Sequence, residues 1–311
     1  MEKSIEIQDI VRAFSLEVLT GDEKLNRLII RSNARRPGLE FIKYLDFFPK
    51  EHVQVLGKNE IQYLHTLSEA DRDHRVENLV KYNPPCIIVT DGQEGLKYLT
   101  KYCKERKIPL LRTNDSNYEF IGKIDAYLIK RLAPEIAVHG VCVNVSGIGV
   151  LLRGDSGVGK SETAHSLVGR GHRLVADDIV VLKKLSPQTL LGTHNETNKE
   201  LLALRSVGLL NVVRMYGRKA FQEESRIALD IELVKWQGES LYNELEVETK
   251  FTSYMDVEIP YIQIQLKPGR DVVGLIEAAV NNWYLKQQGY SAAEDFMKRI
   301  EKEAAEEKGT N

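Results

Sequence analysis

Cysteine is scarce in this sequence. Cys86, Cys103 and Cys142 lie far apart, each in an apolar stretch, and match no metal-ligand spacing. That excludes a disulfide scaffold or a zinc module and predicts reduced, packed thiols. An excess of either charge is also missing: 43 Lys and Arg stand against 45 Asp and Glu, and the basic residues form no blocks. A nucleic-acid partner, which calls for a basic excess, is therefore not expected. No run approaches the ~18 apolar residues of a membrane helix, and the opening MEKSIEIQDI lacks the apolar core of a secretory signal. The expectation is a cytoplasmic protein with no membrane partner. No internal repeat is visible. What remains is an ordinary globular composition, and a length of 311 residues that suggests about two domains.

The first 132 residues read as one α/β domain. Ile7, Ile10, Val11 and Phe14 have helical spacing. SLEVL and LNRLII read as strands on either side of the turn signal Gly21-Asp22. CIIVT (86–90), QEGLKYLTKYCKER and IPLLRT (108–113) read as strand, helix and strand, a unit that suggests parallel pairing. A helix from Asp115 to about Arg131 leads to Leu132-Ala133-Pro134, where proline should interrupt it. The second domain is expected over 133–311. IAVHGVCVNV and IGVLLRG read as two strands around Gly147, followed by a glycine-rich loop and a helix. Near the C-terminus Val273, Ile276, Val280 and Trp283/Tyr284 form an apolar helical face, and Ser291 with Glu294 reads as a capping box.

The strongest chemical signal is Gly154-Asp155-Ser156-Gly157-Val158-Gly159-Lys160-Ser161, a full match to G-x-x-x-x-G-K-[ST]. An apolar strand (149–152) enters it, and a helix with Ala164, Leu167 and Val168 on one face leaves it. The glycines allow a tight loop whose N–H groups point inward, and the helix N-terminus adds partial positive charge. Lys160 would reach the β- and γ-phosphates of a nucleotide, and the Ser161 hydroxyl would ligate Mg²⁺.

Downstream, Arg173-Leu-Val-Ala-Asp177-Asp178 reads as a strand ending in two carboxylates. The carboxyl end of such a strand borders the ligand crevice of an α/β sheet, and phosphoryl transfer uses carboxylates near the metal and the attacking hydroxyl. Neighbours on a strand point to opposite faces, so the two need not share a role. The competing reading is a turn or helix cap, which aspartate favours. His139 precedes Gly140 in an apolar strand, and by itself reads as a structural histidine.

His139-Gly-Val, GDSGVGKSETA and Gly171-His-Arg-Leu-Val-Ala-Asp-Asp178 together resemble the HPr kinase/phosphorylase family in order and spacing. So do Arg36-Pro-Gly-Leu-Glu, Phe47-Phe-Pro-Lys-Glu, Arg205-Ser-Val-Gly-Leu-Leu-Asn-Val, Lys235-Trp236, Lys267-Pro268-Gly269-Arg270 and Gln288-Gly-Tyr, which extend the resemblance along nearly the whole chain. It implies an N-terminal α/β domain followed by a C-terminal P-loop kinase domain. It further implies phosphorylation of a serine of HPr, the small phosphocarrier of the sugar phosphotransferase system, from ATP or pyrophosphate with Mg²⁺. Reversal by inorganic phosphate and a cytoplasmic homohexamer belong to the same implication. By position, His139, Lys160 and Asp178 match the family's active-site residues, with Asp178 as base toward the serine and as acid in reverse. Asp177 supports it or the metal, and Lys267–Arg270 matches the turn used in dephosphorylation.

The resemblance has departures. Ala203 stands where the family carries a metal-binding glutamate, with Glu200 three residues away as a substitute candidate, and Ser206 replaces a glycine. Glu244 stands where an active-site arginine is expected. These changes keep open a diverged nucleotide-binding paralogue that regulates with little catalysis; a P-loop kinase of a small metabolite is a further alternative, since the loop itself does not name the acceptor.

Overall fold

The computed structural model describes residues 3–38, 48–236 and 249–308. The chain divides into two compact units, Met1–Pro134 and Glu135–Asn311.

In the first unit β1 (Ile5–Glu6) is followed by α1 (Ile7–Phe14), β2 (Glu17–Thr20), β3 (Leu28–Ile29), β4 (Gln54–Leu56), α2 (Lys58–Thr66) and α3 (Glu69–Lys81). Then come β5 (Ile87–Val89), α4 (Lys97–Arg106), β6 (Leu110–Arg112) and α5 (Asn117–Leu132). The sheet order is β2-β6-β5-β4, with β4, β5 and β6 parallel and β2 antiparallel at the edge. Successive strand residues face opposite cores. Leu56, Ile87, Val89 and Leu110 pack with α2, α3 and α4, while Val55, Ile88 and Leu111 pack with α1 and α5. Burial on both faces explains why these strands read as unbroken apolar runs. LNRLII yields only Leu28–Ile29 as strand, paired with β1.

The second unit contains β7 (Glu135–His139), β8 (Val141–Val145), β9 (Ile148–Arg153), α6 (Lys160–Gly169), β10 (Arg173–Ala176), β11 (Ile179–Ser186) and β12 (Thr189–Thr193). The hairpin β13 (Leu201–Leu204) and β14 (Gly208–Asn211) precedes α7 (Val212–Tyr216), β15 (Glu224–Lys235), β16 (Lys250–Tyr254) and β17 (Val257–Leu266), and α8 (Val272–Gln287) and α9 (Ala292–Lys308) follow. The main sheet runs β10-β8-β9-β15-β12-β11-β7, with β17 also on β15 and β16 on β17. β15 pairs in parallel with both β9 and β17, so the carboxyl ends of the three share one edge. One face packs on α6 and α8 through Val143, Val150, Leu152, Ala164, Leu167, Ile231 and Ile276, and the other buries Cys142, Leu151, Val180 and Ile259.

The run expected as one strand, IAVHGVCVNV, is two. At Gly140 the chain leaves β7, which pairs with β11, and enters β8, which pairs with β9 and β10. The same switch occurs between β10 and β11 at Asp177–Asp178, and the Gly140 N–H donates to the Asp178 carbonyl at 3.1 Å. Two strand pairs thus change partners side by side. Of the apolar face expected on α8, Val273, Ile276 and Val280 are buried, whereas Tyr284 is 51% exposed. Ser291 Oγ accepts from the Glu294 N–H at 3.3 Å, as the capping pattern anticipates.

Arg153, the last residue of β9, donates from Nε to both Asp230 oxygens at 2.8 and 2.9 Å, and the Tyr254 hydroxyl donates to Asp230 at 2.6 Å. Asp230 is fully buried, and burial pushes its carboxyl above the usual range against the pull of Arg153. Arg153→Ala should lower the stability of this unit by about 3 kcal/mol, because it leaves a buried carboxylate without its cation. An unchanged urea midpoint would contradict that. The three thiols are free and buried, and burial pushes each up to about 12. The native protein should therefore resist a thiol reagent that titrates all three cysteines in denaturant. Rapid labelling of one thiol in the native state would refute this packing.

Candidate functional site

The loop from Gly154 to Gly159 links the carboxyl end of β9 to α6. Gly154 (φ +135) lies so near β15 that a Cβ would sit 2.2 Å from the Leu233 carbonyl oxygen, and Gly157 (φ +76) lies beneath Arg205, 2.3 Å from Nη2 on the same test. At Gly154 the obstacle is backbone and no side chain fits; at Gly157 the neighbour is the movable end of Arg205, and the positive φ is what favours glycine. Lys160 Nζ donates to the carbonyls of Gly154 and Asp155 at 2.9 and 3.0 Å, holding the loop closed on itself. α6 begins at Lys160, so its free N–H groups face the loop.

Ser161 Oγ donates to Asp177 Oδ1 at 2.9 Å, and the Ala203 N–H donates to Asp177 Oδ2 at 2.9 Å. Asp177 is 3% exposed, and its carboxyl lies above the usual range because burial outweighs these two bonds. Asp178 has the opposite surroundings. It takes a left-handed conformation, φ +67°, its side chain is 69% exposed, and Oδ1 is 3.8 Å from His139 Nδ1. Asp and Asn tolerate that backbone better than other non-glycine residues. The sequence pattern ends one strand on these two aspartates; they form instead the turn between β10 and β11.

Together these elements enclose a cavity of about 640 Å³. Its wall includes Gly157, Lys160, Ser161, Asp177, Asp178 and, from the hairpin side, Arg205. Inward N–H groups, an ammonium and a guanidinium suit the phosphates of an anionic ligand. Ser161 and Asp177 offer paired oxygen donors of the kind Mg²⁺ accepts beside phosphate oxygens. Position 203 contributes only a methyl group and its N–H. Glu200 does not substitute: its carboxylate accepts from Arg218 at 2.9 Å and Asn211 at 3.4 Å, and it does not line the cavity. Among the described residues no group of three or more His, Cys, Asp or Glu could hold a metal ion.

His139 stands beside Asp178 at the paired sheet switch rather than inside a strand core, and its side chain is 84% exposed. Lys267–Arg270 does not line the cavity. It forms a turn at the carboxyl end of β17, two strands from the loop, closed by Arg270 N–H to Lys267 O at 3.0 Å. Lys267 Nζ lies 5.1 Å from the centroid of the Trp236 ring. Glu244 lies outside the described residues, as do parts of the Arg36 and Phe47 motifs. Sequence reasoning assigns no site role to Arg205, Thr197 or Asn198, all of which line the cavity. The place of Arg205 at the head of its signature stretch is a signal that could have found it; Thr197 and Asn198 carry no local signal.

A family model described as HPr Serine kinase C-terminal domain matches residues 130–300, and one described as HPr Serine kinase N terminus matches residues 5–128. A protein of Oceanobacillus iheyensis with the provisional name HPr kinase/phosphorylase 2 is 66% identical over 96% of this chain and 98% of its own length. The HPr kinase/phosphorylase of Bacillus cytotoxicus is 38% identical over 95% of this chain and 96% of its own length. A solved structure of the Hpr(Ser) kinase/phosphatase from Coxiella burnetii aligns with 29% identity and a TM-score of 0.47, covering 52% of this chain and 98% of that one. With both halves of the chain matched in order and relatives aligned from end to end, the chain belongs to the HPr serine kinase family.

Proposed function

We propose that this protein transfers the γ-phosphoryl group of ATP to a serine of HPr and reverses the transfer with inorganic phosphate. The observation that carries this reading is the environment of the two aspartates. One carboxylate is buried against Ser161 at the mouth of the glycine loop, and the next is exposed beside His139 at the rim of the same cavity. The loop N–H groups and Lys160 hold the phosphates. Lys160 leaves its carbonyl partners for the β- and γ-oxygens when a nucleotide enters. Ser161 and Asp177 would hold Mg²⁺, which would supply neutralisation of the phosphate charge.

Asp178 accepts the proton of the serine hydroxyl as that oxygen attacks the γ-phosphorus and ADP leaves. In reverse, a phosphate oxygen attacks the phosphorus of phosphoserine, the serine oxygen leaves with the proton of Asp178, and pyrophosphate is released. Exposure suits this residue, because its partner is a side chain arriving from another protein. His139, within ion-pair range when protonated, supports the charge changes at Asp178. Arg205, over Gly157, adds a second cation to the phosphate site. The turn Lys267–Arg270, on the same sheet edge, serves the reverse direction.

Ala203 supplies no metal oxygen, so a nucleotide-binding regulator with weak catalysis is the alternative.

The test is phosphotransfer from labelled ATP with Mg²⁺. Label should appear on one serine of HPr, vanish when that serine is replaced by alanine, and fall at least about 100-fold with Lys160→Ala. ATP binding without any transfer to HPr would overturn the proposal in favour of the regulator.

A further inference from the structure

A cluster of charged side chains that does not line the cavity surrounds Glu223, just before β15. Glu223 Oε2 accepts from His194 Nε2 and from Lys199 Nζ, each at 2.9 Å, and Oε1 accepts from Arg218 Nη2 at 3.0 Å. Arg218 Nη1 reaches on to Glu200 at 2.9 Å. His194, Lys199 and Glu200 belong to the strap that runs from the end of β12 to β13. The His194 side chain is 3% exposed and its ring packs on Phe221, with centroids 5.4 Å apart.

The strap matters because of what it carries. Its Thr197 and Asn198 line the cavity, and it leads into β13, whose Leu201 and Ala203 also line it and whose Ala203 N–H is one of the two bonds on Asp177. Yet the bonds within the strap are local. The Asn198 N–H donates to Asn195 Oδ1 at 2.8 Å, and the Leu201 N–H to the Asn198 carbonyl at 3.1 Å. Between β12 and Ala203 its anchors on the rest of the unit include the Val212 N–H on the Glu200 carbonyl at 2.9 Å and the side-chain bonds of His194, Lys199 and Glu200. Two of those three side chains converge on Glu223, and the third is held by the arginine that Glu223 also binds.

We propose that Glu223 is a positioning residue for the cavity: by gathering His194, Lys199 and Arg218 on one carboxylate it holds the strap in place, so that Thr197 and Asn198 stand ready against a bound nucleotide. This rests on the reading that the cavity takes a nucleotide. Lys199 first, then His194 and Arg218, draw the Glu223 carboxyl down to about 2 from an ordinary value of 4.5. The latch is therefore fully charged above the ordinary carboxylate range and lets go only as pH falls from there toward the lowered value. At neutral pH the Glu223 carboxylate is therefore charged.

The test uses the full chain and ADP as probe. In Glu223→Gln, amides of residues 195–200 should exchange hydrogen several-fold faster, and ADP affinity at 25 °C should fall about fivefold, the scale set by losing exposed ion pairs. Turnover at saturating nucleotide should stay within about twofold, since the change acts on binding rather than on the reacting atoms. Lys199→Met, which removes one of the three contacts on Glu223, should move both readouts in the same direction, and the double variant should be no worse than Glu223→Gln alone, which already lacks that contact. Glu51→Gln, which breaks the exposed pair with Arg31, is the control and should change none of these. A lower melting temperature in Glu223→Gln with unchanged strap exchange and unchanged ADP affinity overturns the proposal. Absence of ADP binding by the unmodified chain counts against the nucleotide reading itself, and the exchange result then decides for or against the latch alone.

Discussion

Asp177 ties the catalytic half of the chain together. Its buried carboxylate accepts from Ser161 on α6 and from the Ala203 N–H on β13, so one side chain joins the glycine loop to the hairpin that faces it. Burying a carboxylate is costly unless its oxygens are bonded, and here each oxygen has a donor. The geometry that permits this is the left-handed turn at Asp178, which ends β10 and turns the second carboxylate toward solvent. The carbonyl of the same turn accepts from Gly140, where β7 hands over to β8. The glycine loop, the hairpin and His139 are placed from these few residues.

Much of this arrangement is legible in the amino-acid sequence. The glycine-rich loop has strict spacing, because backbone must approach backbone at Gly154 and the chain takes a positive φ at Gly157. Two parallel strands of the first unit, β5 and β6, are legible as apolar runs, since both of their faces are covered; β4, with Gln54, is not among the strands read from the sequence. The switch at Gly140 is not legible in IAVHGVCVNV, because a change of pairing partner leaves hydrophobic periodicity intact. His139 carries no signal of its own, since its neighbour Asp178 lies 39 positions away and meets it only through that switch. Thr197 and Asn198 are silent for a related reason: the strap has no periodicity, and its place is set by ionic contacts with a residue beyond the hairpin.

The departures from the family pattern gain physical content from the structure. Ala203 keeps the backbone bond to Asp177 while removing any side-chain oxygen from that wall, so loop and hairpin stay joined although a donor is lost. Glu200 cannot move in to replace it without abandoning Arg218, which also bonds Glu223. Position 203 thus joins loop and hairpin through its N–H and offers the cavity only a methyl group. On the proposed reading, that shifts the burden of charge neutralisation toward Lys160 and Arg205.

Two consecutive aspartates, separated by one backbone turn, thus do different work on the proposed mechanism. Steady-state phosphotransfer to HPr by Asp177→Asn and Asp178→Asn, with nucleotide and Mg²⁺ varied independently, puts that division to the test. Asp178→Asn should lose about 100-fold or more in turnover while keeping its affinity for nucleotide, as expected for removal of a base. Asp177→Asn should instead demand much higher Mg²⁺ for the same rate. Two variants with the same kinetic profile would contradict the division of labour, and with it the mechanism built on that turn.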